Sequence, residues 1–260
     1  MSKEFYPPKM IHEIPSTPQG KNEKIVSRSD TKTYSFTDDT FIKRELPPSQ
    51  RKKNMKGEWI TLPWMEERFR NEAVALALIS KETTIPVPRV VAIGRDKDGL
   101  AFLETELLRG IPCDYVVDEC RVQGPQRHND AGPCNVCESV AMTNTDRYVR
   151  EKVLPQLDKL RSTTTGLDGF VIPPPWILAH DRRLHWASRS SIVREFVFCH
   201  GDLTAHNIMV HPETLEVLGI YDWEHAGYFP EEFQQWRCSR AEYNTLFTNK
   251  DRIRRLVSQI

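Results

Sequence analysis

The chain of 260 residues carries no surplus of either charge: 36 Lys and Arg stand against 36 Asp and Glu. A bulk polyanion binder shows a basic excess as its electrostatic footprint, so nucleic acid is not an expected partner. A self-repelling acidic chain is excluded on the same count. No apolar run approaches the ~18 residues that a membrane span needs, so no membrane partner is expected either. The opening run from Met1 to Pro8 lacks the apolar core of a signal peptide, and no Asn-x-Ser/Thr acceptor occurs. Cysteine is sparse. The six (Cys113, Cys120, Cys134, Cys137, Cys199, Cys238) are too dispersed for a small secreted disulfide framework. Reduced thiols and a cytoplasmic location are the expectation. Glycine is also scarce, 12 in all and nowhere as Gly-x-Gly, so no glycine-rich loop is available to cover phosphates.

What is present falls into three parts. Residues 1–24 are polar and Pro-rich and read as a flexible arm. Residues 25–110 read as a small antiparallel sheet with one helix. Ile25-Val26, Thr33 to Phe36 and Thr40 to Ile42 are strand-like, with a turn at Asp38-Asp39. Met65 to Ser80 places Phe69, Ala73, Leu76 and Ala77 on one helical face. Pro86 and Pro88 end that helix. Arg89 to Ile93 and Leu100 to Leu108 follow as two more strands. Residues 111–260 form the third part, mainly helical. Within it, 113–147 is rich in Gly, Pro, Asn and Asp and is expected to be an irregular insert. Helix is expected over 148–161, interrupted by Pro155, around 177–194, and through much of 231–260.

The chemistry concentrates in residues 196–230. Ile208-Met209-Val210 and Leu215 to Ile220 predict a β-hairpin about the turn His211-Pro212-Glu213-Thr214. A hairpin brings its open ends together, so Asn207 and Asp222 should meet. An amide oxygen beside a carboxylate suits Mg²⁺ shared with substrate phosphates. Asp202, five residues before Asn207, is free to face an incoming hydroxyl. This is the division of labour found in kinase-type phosphoryl transfer.

His200-Gly201-Asp202 through Val210, with Ile220-Tyr221-Asp222-Trp223-Glu224, resembles the catalytic-loop and metal-binding motifs of the aminoglycoside phosphotransferase/choline kinase family. The run to Pro230 is nearest to its fungal members. The resemblance implies a bilobal protein-kinase-like α+β fold with ATP and Mg²⁺ as cofactors. It implies Asp202 as the catalytic residue, Asn207 and Asp222 as metal ligands, and Lys43 on the phosphates held by Glu72. Backbone groups at Glu106 and Leu108 would hold adenine. It covers roughly residues 25–110 and 148–236. The implied reaction moves the γ-phosphoryl group to a hydroxyl of a small molecule. The alternative is a catalytically silent kinase-fold protein that binds a nucleotide or a partner. Gly201 replaces the Arg usual in protein kinases, which favours an unregulated small-molecule kinase.

Other features have plainer readings. His200 is expected to brace the catalytic loop, and Trp223 and Glu224 to be architectural. Glu231 and Glu232 read as a solvated helix start. Cys134-x-x-Cys137, with Cys120 and His128 nearby, has ligand types suited to Zn²⁺. The spacing matches no standard knuckle, so ordinary thiols are expected there.

Overall fold

A computed structural model describes residues 23–193 and 195–260, with the side chain of Val26 undescribed. The expected N-terminal arm therefore falls almost wholly outside the described residues. Five antiparallel strands open the chain: β1 (Lys24–Arg28), β2 (Lys32–Phe36), β3 (Thr40–Glu45), β4 (Val90–Arg95) and β5 (Ala101–Glu106). They form one sheet in the order β1-β2-β3-β5-β4. The turn between β2 and β3 is closed by Thr37 N–H donating to Thr40 O at 2.9 Å, with Asp38-Asp39 at its tip. Between β3 and β4 lies α1 (Met65–Glu82), whose face of Phe69, Ala73, Leu76 and Ile79 is buried. Its last turn is followed by extended Thr83, and Pro86 and Pro88 keep Ile85 and Val87 out of the helical region.

A short strand β6 (Ile111–Pro112) leads out of the sheet lobe. The 113–147 segment differs from expectation: α2 (Asn135–Tyr148) occupies its second half. Its buried face is Cys137, Ala141 and Thr145, spaced four apart, so the helical period is carried by small residues rather than by Leu or Ile. After α2 the chain makes a π-turn over 149–153 and then α3 (Leu154–Leu157). Pro155 lacks the N–H that a regular ladder would use there, and the wider turn absorbs the defect. The expected helix at 177–194 is also corrected. Only α4 (Pro175–Leu178) forms, and the following segment leaves Leu184, Ile192 and Val193 exposed, with no apolar face for a helix to bury.

The remaining strands frame the catalytic loop. They are β7 (Arg161–Ser162), β8 (Phe196–Cys199), β9 (Leu203–Thr204), β10 (Ile208–Val210), β11 (Val217–Ile220), β12 (Gly227–Phe229) and β13 (Trp236–Arg237). β10 and β11 form the expected hairpin, with Ile208 opposite Ile220, and β6 adds to its other edge. β8 lies between β7 and β12. Two short helices, α5 (Arg240–Thr245) and α6 (Lys250–Val257), close the described chain. One core runs from α1, β4 and β5 through α2 and the hairpin; a second gathers Trp176, Ile177, Phe229, Phe233, Ile253 and Leu256. The chain thus adopts the expected α+β architecture, an antiparallel sheet with one helix followed by a second part that carries the hairpin. No described helix is long and apolar enough to cross a membrane.

Candidate active site

The hairpin fixes the first pair of site residues. Tyr221 N–H donates to Asn207 O at 3.1 Å, which closes the hairpin's open end and sets Asp222 beside Asn207 in the chain path. Asp222 has φ of 64°, a left-handed conformation that Asp tolerates better than bulky residues do. Asn207 spends its amide nitrogen on Asp202, donating to the backbone O at 2.8 Å and to Oδ2 at 3.3 Å. Its Oδ1 is the atom left for ligation or acceptance. Gly201 has φ of 85°, and a Cβ there would lie 2.2 Å from His225 O. A side chain of any size is excluded, so the Arg of protein kinases has no room at this position.

His200 is buried and bridges the loop's two arms. Its Nε2–H donates to Tyr221 O at 3.1 Å, and its Nδ1 accepts Asp202 N–H at 3.2 Å. This pattern assigns the neutral imidazole, and burial pushes its pKa down to about 4. The ring packs against Trp223 with centroids 4.3 Å apart, and Trp223 is itself fully buried. Both contacts fit the bracing roles expected of these residues.

The sheet lobe supplies the second cluster. Lys43 Nζ donates to Glu72 Oε1 and Oε2 at 2.8 and 2.7 Å and to Asp222 Oδ1 at 2.5 Å. One cation thus serves two carboxylates. Burial pushes Glu72 up to about 7, while Lys43 pulls it back. Burial also acts to raise Asp222, but Lys43 and then Lys32 outweigh it and hold the group well below the usual carboxylate range. Lys43 stays charged: burial opposes its charge, but Asp222 and Glu72 overcome that.

Sequence reasoning missed four contributors, Lys32, Arg68, Asn71 and Tyr243. Arg68, Asn71 and Glu72 share one buried face of α1, and Arg68 and Asn71 reach the loop after Asp222. Arg68 Nη1 donates to Glu224 Oε1 at 3.0 Å, and Asn71 Nδ2 donates to Glu224 O at 3.1 Å and Ala226 O at 2.7 Å. Lys32 on β2 completes an ion pair with the same Glu224 carboxylate. Oxygens of Glu72, Asp222 and Glu224 lie within 4.8 Å of one another, a hard-donor set suited to a divalent cation. The fourth contributor is Tyr243 on α5, whose hydroxyl donates to Asp202 Oδ1 at 2.6 Å. Nothing in its surroundings in the sequence signals this contact, made across 41 positions. For Asp202, burial acts to raise the pKa, yet hydrogen bonds from His206 and Tyr243 leave it below the ordinary value.

At the expected adenine edge, Glu106 N–H is taken by Arg89 O at 2.8 Å, so only its carbonyl could face a base. No backbone carbonyl among the described residues takes the Leu108 N–H. The Leu108 side chain lies over Gly219 of the hairpin.

Comparison with known proteins bears on the same region. Residues 140–238 match the family model described as the phosphotransferase enzyme family. The chain is 30% identical over 155 residues to a streptomycin 3''-kinase of Streptomyces griseus, covering 55% of this chain and 54% of that protein. It is 30% identical over 152 residues to an aminoglycoside 3'-phosphotransferase of Streptomyces fradiae, covering 53% and 52%. The chain thus spans about half the length of these curated relatives. A solved aminoglycoside phosphotransferase of Streptomyces rimosus aligns over 88% of this chain and 80% of its own, at 18% identity and a TM-score of 0.38. The expected nearness to fungal members finds no support among these matches. The segment that carries Asp202, Asn207 and Asp222 is thus similar to the phosphotransferase enzyme family and, within it, to kinases named for aminoglycosides.

Proposed function

We infer that the protein is a nucleotide-dependent phosphotransferase that moves a γ-phosphoryl group from ATP to a hydroxyl of a small molecule. The observation that carries this reading is the convergence of Lys43, Glu72 and Asp222 from two lobes beside the Asp202–Asn207 loop. The donor chemistry of Asn207 and Asp222 fits Mg²⁺, which these residues would hold and which would supply positive charge to stabilise the transfer. Lys43, oriented by Glu72, would contact the nucleotide phosphates. Asp202 is the assigned base: a carboxylate that orients the acceptor hydroxyl and takes its proton. Backbone groups of Glu106 and Leu108 are assigned to adenine, and residues 25–110 and 111–260 to the nucleotide and catalytic lobes. We place the protein in the cytoplasm, in keeping with its six unpaired cysteines.

A second reading, a kinase-fold protein that binds nucleotide without turnover, draws on one contact. The Tyr243 hydroxyl occupies the Asp202 oxygen that an acceptor alcohol would need. One experiment separates the two. Nucleotide binding is measured by calorimetry with ATP–Mg²⁺ and GTP–Mg²⁺, and transfer is followed by mass spectrometry over aminoglycosides and other hydroxylated amines. The first reading expects a phosphorylated product that Asp202→Asn reduces by about 10³-fold or more, with binding retained. Binding with no product on any acceptor supports the silent reading. Full activity in Asp202→Asn would overturn the assigned role of that residue.

A further inference from the structure

Cys120, His128, Cys134 and Cys137 are separated in sequence by seven, five and two residues, yet their Sγ and Nδ1 atoms all lie within 4.8 Å of one another. His128 Nδ1 is 3.6 Å from Cys120 Sγ, 3.4 Å from Cys134 Sγ and 3.5 Å from Cys137 Sγ. Cys120 and Cys137 sulfurs are 4.0 Å apart. An imidazole nitrogen has one lone pair or one proton, so it can hydrogen-bond to one thiol and not to three. Three sulfurs nearly equidistant from it need a partner common to all four atoms. Tetrahedral zinc, with Zn–S of about 2.3 Å and Zn–N of about 2.0–2.1 Å, places S and N about 3.5 Å apart and two S atoms about 3.8 Å apart. Those are the separations found.

We propose that Cys120, His128, Cys134 and Cys137 form a structural Zn²⁺ site that organises the segment joining β6 to α2. The three thiols lose their protons to solvent on binding, and neutral His128 ligates through Nδ1 with its proton on Nε2. Four protein ligands close the shell, so no position is left for water or substrate, as in structural rather than catalytic zinc. Thiolate and imidazole donors select zinc over Mg²⁺. The backbone already offers the outer contacts that thiolates require: Arg121 N–H donates to Cys137 Sγ and His128 N–H to Cys120 Sγ, each at 3.3 Å. The chain is shaped to close around the centre as well, since Cys134 N–H donates to Val117 O at 2.8 Å and Cys137 sits in the first turn of α2.

The site has a structural purpose. The loop between Cys120 and Cys134 is mostly exposed, with Val122 its one large apolar residue, and cannot bury a core of its own. Cross-linking its two ends fixes α2 against the 3₁₀ turn at 113–118, which in turn packs on the 205–207 turn that carries Asn207. The expectation of ordinary thiols, drawn from a spacing that matches no standard knuckle, is thereby replaced: the fold and not the spacing assembles the tetrad. This inference is independent of the proposed phosphotransferase activity.

The full chain, produced with zinc in the medium and purified without chelator, should contain one zinc per chain by mass spectrometry of the metal. Cobalt reconstitution should give the intense near-ultraviolet thiolate charge-transfer band and tetrahedral visible bands of a three-thiolate site. His128 is exposed, so His128→Ala should fold; its zinc should pass to a chromogenic chelator more than about tenfold faster. His128→Cys should restore slow release, and Cys238→Ser, outside the tetrad, should leave zinc content unchanged. Absence of stoichiometric zinc together with no cobalt–thiolate band after reconstitution would overturn the proposal. So would iron in place of zinc, or a Cys134–Cys137 disulfide in freshly purified protein.

Discussion

Asp202 illustrates how far single residues could be read in advance. Its place in the His200–Val210 motif and its spacing to Asn207 and Asp222 were legible, because a hairpin turns sequence spacing into spatial proximity. Its closest polar neighbour was not legible, because Tyr243 reaches it from a separate short helix, and no local period encodes a contact of that range. Tyr243 is held as a donor: burial and the charge of Asp202 push its phenol well above the ordinary value. That contact helps to depress the Asp202 pKa, with burial acting the other way. A general base works when unprotonated, so activity falls as pH drops through its pKa. Tyr243→Phe removes a donor to the charged form and should raise that pKa. A hydrogen bond to a charged group contributes about 1.5 kcal/mol or more, so the acid limb of kcat/KM should move up by about one pH unit. A pH–rate profile with an unmoved limb would show that Tyr243 does not act on Asp202.

Among the elements, α1 and the hairpin were readable and α2 was not. Phe69, Ala73, Leu76 and Ala77 announce a helix by period, whereas Cys137, Ala141 and Thr145 do the same work with residues that do not count as strongly apolar. The 177–194 segment failed in the opposite way. It contains Leu184, Trp186, Ile192 and Val193, but of these only Trp186 is buried. The α1 face of Arg68, Asn71 and Glu72 was legible only at Glu72, because polar residues on a helix usually face solvent. The hairpin also reaches the sheet lobe through Gly219, where a Cβ would lie 2.8 Å from Leu108 Cδ1 and 3.4 Å from Pro86 O. Filling that notch costs about 1–3 kcal/mol and pushes Leu108 off the hairpin. Gly219→Val should therefore weaken ATP–Mg²⁺ binding by about tenfold, measured by calorimetry, while the far-ultraviolet circular dichroism stays native. Equal affinity in the variant would detach Leu108 from the nucleotide site.

On the scale of the whole molecule, the balanced charge of 36 against 36 conceals a buried ionic seam between the lobes. Lys32, Lys43 and Arg68 from the sheet lobe meet Asp222 and Glu224 from the catalytic side, with Glu72 alongside. Such a seam ties stability to pH. Burial acts to raise Glu224, but Lys32 overcomes it and brings the pKa to about 2; Asp222 is likewise depressed. Groups depressed in the fold stabilise it above their unfolded pKa and lose that contribution as pH falls. The two buried histidines act earlier on the same scale. Burial pushes both His200 and His225 down to about 4 from 6.5, so the unfolded chain binds protons that the fold refuses. Each should cost about 2 kcal/mol of stability between pH 7.5 and pH 5, before Asp222 or Glu224 titrates. Glu72, raised to about 7, works in the opposite sense, losing stability as pH rises through 7, and so partly flattens the neutral region. Urea unfolding followed by tryptophan fluorescence should show stability falling steeply from pH 6.5 to pH 5. His200→Gln, which cannot titrate, should shallow that slope by up to about 1.4 kcal/mol per pH unit, whatever it does to stability at neutral pH. An unchanged slope in His200→Gln would mean that His200 takes up its proton without leaving its place between Tyr221 and Asp202, and that the acid sensitivity belongs to His225.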